Sequence, residues 1–296
     1  MSATPTSDGL NRIWRRIAVL AFLTVCAPIA QAEEEGADFF SYRPSLPELR
    51  LPDIDLVPFW TDDLKKAKRA YRKGDHERAI RLFRRESEEG NIVADWYLGH
   101  IYRTGRGVPV DDATAYSYYA RVADSYDVEE PDQNRLRIMV DAMLRVADYH
   151  RKGVDGAGIR QDPAYAVQTY LKLATTYGHP AAQYSLGTMH IKGEGVRENP
   201  QQGLKWLMAA ARKRYALSEA YLGDLYWEGR LVRQDRTRGY MWYILAQEAL
   251  RNDDHPEIAQ RYERMQEQIT EDERLEAEAR ARIWAERYPV EPNAVQ

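Results

Sequence analysis

The residues that could do chemistry near neutral pH are few. His150 and His190 stand just before Gly153 and Gly193 in two similar stretches, and histidine is the side chain that changes charge in this range without a perturbed environment. They align with Tyr102 and Tyr226, an inward and mostly aromatic position, so two readings stay open: satisfied core histidines, or a pH-sensing pair. Gly193-x-Gly195 and Gly153-x-x-Gly156-x-Gly158 have the glycine content of phosphate loops. They follow helical patterns rather than strands, however, and no Lys-Thr pair completes them, which makes them helix stops. His-Glu-x-x-His, paired cysteines and a Gly-x-Ser-x-Gly elbow do not occur, and acidic runs such as Glu271-Asp272-Glu273 read as solvated helix faces. The expectation is a protein with no catalytic residues, no metal site and no cofactor, hence not an enzyme.

Behind these residues stands a repeated element. From Pro180 to Tyr215, Ala182, Ser185, Leu186, Met189 and His190 lie on one helical face, and Gly193-Glu194-Gly195 ends the helix. Gly203, Trp206, Leu207, Ala210 and Ala211 then repeat the spacing. Glycines at 105, 153, 193 and 229 end four such first helices, and Asp111, Asp162, Asn199 and Asp235 are suited to open the second ones by accepting from free backbone donors. Small residues at Gly99, Ala147, Gly187 and Gly223 would let paired helices approach closely. A helical hairpin of this kind cannot bury both apolar faces alone, so the copies must stack. Asp62 to Gly90 reads as a degenerate first hairpin.

This pattern resembles the Sel1-like repeat, a longer relative of the tetratricopeptide repeat, over roughly Leu64 to Leu250. The resemblance implies an all-α, right-handed α-solenoid of Sel1-like, TPR-like hairpins, and a protein-interaction role. A narrower set is similar to the ExoR-type periplasmic negative regulators of exopolysaccharide production: a signal sequence, the insert-bearing copy with Tyr149-His150-Arg151-Lys152-Gly153, then Ala182-Gln183-Tyr184 and Gln201-Gln202-Gly203-Leu204-Lys205-Trp206-Leu207. It implies binding to the periplasmic domain of a sensor histidine kinase of an ExoS/ChvI-type two-component system, with a periplasmic protease as a further partner. A scaffold for an envelope or polysaccharide-export complex is the alternative reading.

For such a role the first helices offer candidates. The spacing assigns Trp96, Tyr184, Ile191 and Trp227 away from the hairpin partner, with His100 and Arg103 on the same side. They are either packed against the previous repeat or exposed on the concave side of the array, where rigid aromatics anchor a bound protein.

The flanks complete the organisation. Arg12, Arg15 and Arg16 precede an apolar run from Ile17 to Ile29, and Ala30-Gln31-Ala32 supplies a small-x-small cleavage site, so residues 1–32 read as a secretory signal cut between Ala32 and Glu33. Cys26 is the only cysteine and would leave with the signal, after which no segment inserts directly in a membrane. Residues 33–60 carry Pro44, Pro47, Pro52 and Pro58 among large apolar residues, a disordered leader or an extended arm. The array is expected over 61–253, C-terminal helices over 254–288 as a cap or a partner-binding surface, and a disordered tail over 289–296. The formal net charge of −4 gives no bulk attraction to nucleic acid or anionic lipid.

Overall fold

Short polar caps and left-handed glycines punctuate the described residues into helices. The computed structural model describes residues 61–155, 158–250 and 255–290, and among these are twelve α-helices and no strand. Five hairpins follow in order. They are α1 (Asp62–Arg72) with α2 (His76–Glu88), α3 (Ile92–Thr104) with α4 (Asp112–Asp124), α5 (Gln133–Lys152) with α6 (Pro163–Thr176), α7 (Pro180–Lys192) with α8 (Pro200–Ala211), and α9 (Ala216–Glu228) with α10 (Arg236–Ala249). Two further helices, α11 (Pro256–Gln266) and α12 (Glu271–Arg287), close the series. The signal segment, its Ala32–Glu33 junction, the Pro-rich stretch 33–60 and most of the expected tail lie outside the described residues.

The boundaries follow from local chemistry. Asp111, Asp162, Asn199 and Asp235 each accept from the backbone N–H three residues on, opening α4, α6, α8 and α10 as the sequence predicts. Pro163 and Pro200 occupy the first helical turn, where a missing N–H costs nothing. Gly105, Gly193 and Gly229 end α3, α7 and α9 in the left-handed conformation, with φ near +70°. Gly153 differs: its ψ is 161°, and the chain leaves α5 into an isolated bridge between Val154 and Ile159. The enlarged third turn is therefore a small bridged loop rather than a plain stop. Leu231 takes φ 64°, where Gly195 of the preceding hairpin takes 66°, so the fifth turn keeps the backbone path with a side chain that adopts it at a cost of about 1 kcal/mol.

The second, fourth and fifth hairpins close where a side chain is missing, at Gly99, Gly187 and Gly223. A Cβ on Gly187 would meet Leu207 Cγ at 2.8 Å and the Gly203 carbonyl at 3.0 Å; one on Gly223 would meet the Tyr243 ring at 2.5 Å. The helices thus approach at these points to a separation that only glycine allows. Successive hairpins then bury one another in three clusters. Phe83, Tyr97 and Tyr119 lie in the first, Tyr170, Leu186 and Trp206 in the second, and Trp242, Tyr243 and Leu245 in the third. The fold is an α-solenoid. At its end α12 lays Ala277 and Ala281 toward α10, Trp284 meets Trp242 at 4.8 Å, and Thr270 with Glu273 forms the capping box that starts it.

Candidate partner-binding face

The first helices α3, α5, α7 and α9 form a row, and polar bonds tie several of its members to their neighbours. Trp96 of α3 donates its indole N–H to Asp141 Oδ2 of α5 at 2.7 Å. Arg151 at the end of α5 donates from Nε and Nη2 to Glu194 Oε2, just beyond α7, at 2.9 and 2.6 Å. Arg261 of α11 reaches back to Asp224 and Glu228 of α9 at 3.1 and 2.8 Å.

The densest part lies between α3, α5 and the start of α7. Asp141 is 4% exposed, and its other oxygen accepts from Arg145 Nη2 at 3.1 Å. Burial works to raise its pKa, but Arg145 and the Trp96 indole more than offset that and hold it below the ordinary carboxylate value. Two histidines flank this ion pair. His179, at the N-terminus of α7, is buried, and desolvation pushes its pKa down to about 4. His100 stacks on Trp96 with ring centroids 6.0 Å apart; burial, reinforced by nearby Arg103, also lowers it to about 4.

Several predicted positions are corrected by this geometry. Trp96 is 9% exposed and Trp227 6%, so neither presents a ring to a partner. Trp227 lies against Gly239 of its own hairpin mate, with Arg236 over its ring, and Ile191 meets Gly203 in the same way. The physical reason is the width of the interface. A first helix in a stack is covered by its mate and by both neighbouring hairpins, so the buried arc exceeds the stripe read from the spacing. Arg103 is half-buried, its Nη2 3.5 Å from His100 Nδ1. His150 and His190 are half-buried edge residues rather than core ones. His150 Nε2 lies 3.2 Å from the Tyr116 hydroxyl with Tyr165 at 4.4 Å, and partial burial lowers the pKa of His190.

Tyr184 keeps a half-exposed position. Its ring lies 5.6 Å from Tyr215, itself only 9% exposed, and 6.3 Å from the half-buried Tyr221, on the part of the row where α7 meets α9. Leu217 beside them is half-buried. Arg145, Asp148 and Arg151 border the cluster, with side chains 28%, 37% and 19% exposed. Sequence reasoning missed Tyr215 and Tyr221, which sit on the second of two adjacent hairpins, and it missed Asp141. A charged residue inside Ile138-Met139-Val140-Asp141-Ala142-Met143-Leu144, with Arg145 four residues on, was the available signal.

Among the described residues no group of three or more His, Cys, Asp or Glu is placed to hold a metal ion, and no helix is long and apolar enough to cross a membrane. What the arrangement offers is a rigid row with a tyrosine cluster bordered by both signs of charge. Such a stack of helical hairpins presenting a continuous face defines the class of helical-repeat interaction proteins.

The chain belongs to the Sel1 repeat family: the family model matches residues 69–91, 92–127, 140–175, 180–215 and 216–248, more than half of the sequence. Two relatives carry the name exopolysaccharide production negative regulator. The one from Rhizobium leguminosarum bv. viciae is 34% identical over 166 residues, and the one from Rhizobium meliloti (strain 1021) is 32% identical over 165. The matches take in 56% and 55% of this chain and span 61% of each relative's length. Among solved structures, a protective antigen of uropathogenic Escherichia coli with an SLR fold superposes with a TM-score of 0.53 at 25% identity, covering 71% of this chain and 41% of that one. A Sel1 repeat protein from Oxalobacter formigenes gives 0.50 at 21% identity, covering 76% and 91%, a likeness of fold.

Proposed function

We propose that the chain is a periplasmic, non-catalytic regulator that represses exopolysaccharide production by binding the periplasmic domain of a sensor histidine kinase and holding its signalling off. The observation that carries the reading is the half-buried pair Tyr184 and Tyr221 on the first-helix row, with the buried Tyr215 ring packed against Tyr184 from beneath. Tyrosine offers a large, stiff, amphipathic contact surface at low entropic cost, and residues of this type dominate binding energy at protein interfaces. Arg145 and Arg151 are already paired with Asp141 and Glu194, so they set orientation more than they add net charge. The names of the two rhizobial relatives support a repressor of exopolysaccharide production. The kinase as target, the periplasmic location and a protease acting on the free protein belong to the proposal.

Deleting the gene tests it. Derepressed two-component signalling and excess polysaccharide, both reversed by the parent gene and not by one encoding Tyr184→Ser with Tyr221→Ser, are the expected result. Unchanged signalling together with a lost export complex would overturn it in favour of a scaffold.

A further inference from the structure

The last helix is apolar on two faces. One face, with Ala277, Ala281 and Trp284, is spent on α10. On the opposite face Leu275 and Ile283 are 53% and 66% exposed, and exposed Ala279 lies midway between them. Single exposed apolar residues are ordinary, but these three fall at i, i+4 and i+8 on one stripe of one helix. They occupy the outer side of the terminal element, where a helical array normally turns polar.

We infer that this stripe pairs with the same stripe of a second copy of the chain, the two α12 helices running antiparallel about a two-fold axis near Ala279. The pairing puts Leu275 of one copy beside Ile283 of the other, twice, and sets the small Ala279 side chains where the helices approach most closely. The charges fit as well. Glu276 and Arg280 lie on one flank of the stripe, Glu278 and Arg282 on the other. Within the chain Arg280 already bonds Glu276 at 2.6 Å and Arg274 bonds Glu278 at 2.7 Å. Reversal of the second helix brings a glutamate of one copy near an arginine of the other on both flanks, so these bonds become shared across the interface. Asp272 faces Glu286 of the other copy at each end, which opposes the pairing. Among the described residues, α1 at the other end of the array exposes Lys65, Lys66, Arg69 and Arg72 and carries no apolar stripe.

One helix face per copy is smaller than a standard interface of about 1,600 Å², so the dimer is reversible. Sedimentation velocity on the full chain between about 1 and 200 µM is expected to show a monomer becoming a dimer, with a dissociation constant on the order of 10 µM. Ile283→Glu is expected to weaken association at least tenfold with an unchanged helical circular-dichroism spectrum, since the side chain is mostly in solvent. Ala279→Cys in a Cys26→Ser background is expected to oxidise to a disulfide-linked dimer, whereas Glu77→Cys, far along the chain and exposed, is not. A monomer at every concentration, a dimer indifferent to Ile283→Glu, or no cross-link through residue 279 would each overturn the inference and leave the stripe to a different protein.

Discussion

Two buried carboxylates, Asp141 in the middle of the array and Glu219 in its fifth hairpin, each face an arginine, yet they end in opposite protonation behaviour. Both oxygens of Asp141 have donors, the Trp96 indole on one and Arg145 on the other, and the group is held charged. Glu219 is fully buried with Arg214 Nε bonded to Oε1 at 2.8 Å, but its Oε2 has no hydrogen-bond partner, and burial pushes its pKa up to about 7 against the pull of Arg214. The burial is similar in the two; the number of satisfied lone pairs is not. A buried ion stays an ion when each of its oxygens is bonded, and softens when one is left bare.

The largest test of this contrast is truncation. Asp141→Ala strands the buried Trp96 N–H and leaves Arg145 only its longer contact to Asp148 at 3.7 Å, and it is expected to cost about 3 kcal/mol in urea unfolding. Glu219→Ala should cost less, about 1–3 kcal/mol, because Arg214 keeps the Leu245 carbonyl at 3.1 Å and Glu248 at 3.3 Å. Equal losses would break the explanation by donor count. A milder cut sharpens it: Trp96→Phe preserves most of the ring but removes the donor to Oδ2, for an expected loss of about 1–3 kcal/mol. If Phe were tolerated without loss, the indole bond would not be what holds Asp141.

Acid should act on the two joints with opposite sign. The folded pKa of His100 and His179 is near 4, below their ordinary 6.5, so their contribution to stability is complete above about 6.5 and declines as pH falls toward about 4. Glu219 has a folded pKa near 7, above its ordinary 4.5, so the folded state takes up its proton first and gains stability as pH falls from about 7 to about 4.5. Unfolding midpoints at pH 7 and pH 5 read the sum. Glu219→Gln, which removes the opposing gain, is expected to make the acid loss larger. His179→Gln is expected to make it smaller. The same loss in both variants and the parent would mean that neither joint governs the response.

A pure packing change gives the smallest effect. Gly187→Ala puts a Cβ 2.8 Å from Leu207 Cγ, the branch carbon of a buried side chain, and 3.0 Å from the Gly203 carbonyl. The cost, about 1 kcal/mol, is read from the thermal midpoint. It should leave the pH dependence untouched, because neither buried ion pair moves.

Much of the fold was legible because repeats write the same physics several times. Asp111, Asp162, Asn199 and Asp235 announce four helix starts, and Gly99, Gly187 and Gly223 announce the close approaches. The face was less legible. Spacing within one helix separates an apolar stripe from a polar one but does not say which neighbour covers each, so it left Trp96 and Trp227 open between packing and partner binding, and both are interior. Tyr184, Tyr215 and Tyr221 come together only when α7 and α9 are stacked. Likewise, His150 and His190 drew attention by alignment, while the histidines beside the central ion pair are His100 and His179, whose burial depends on three helices meeting.

The central claim is that the accessible Tyr184 and Tyr221, and not the buried tryptophans, carry partner binding. Its most direct measurement is the affinity of the chain for the purified periplasmic domain of the sensor kinase, by calorimetry, for the parent and for Tyr184→Ser with Tyr221→Ser. The account expects the double variant to keep its helical spectrum and to bind at least tenfold more weakly, a loss of about 1.4 kcal/mol or more. Binding within twofold of the parent would contradict it.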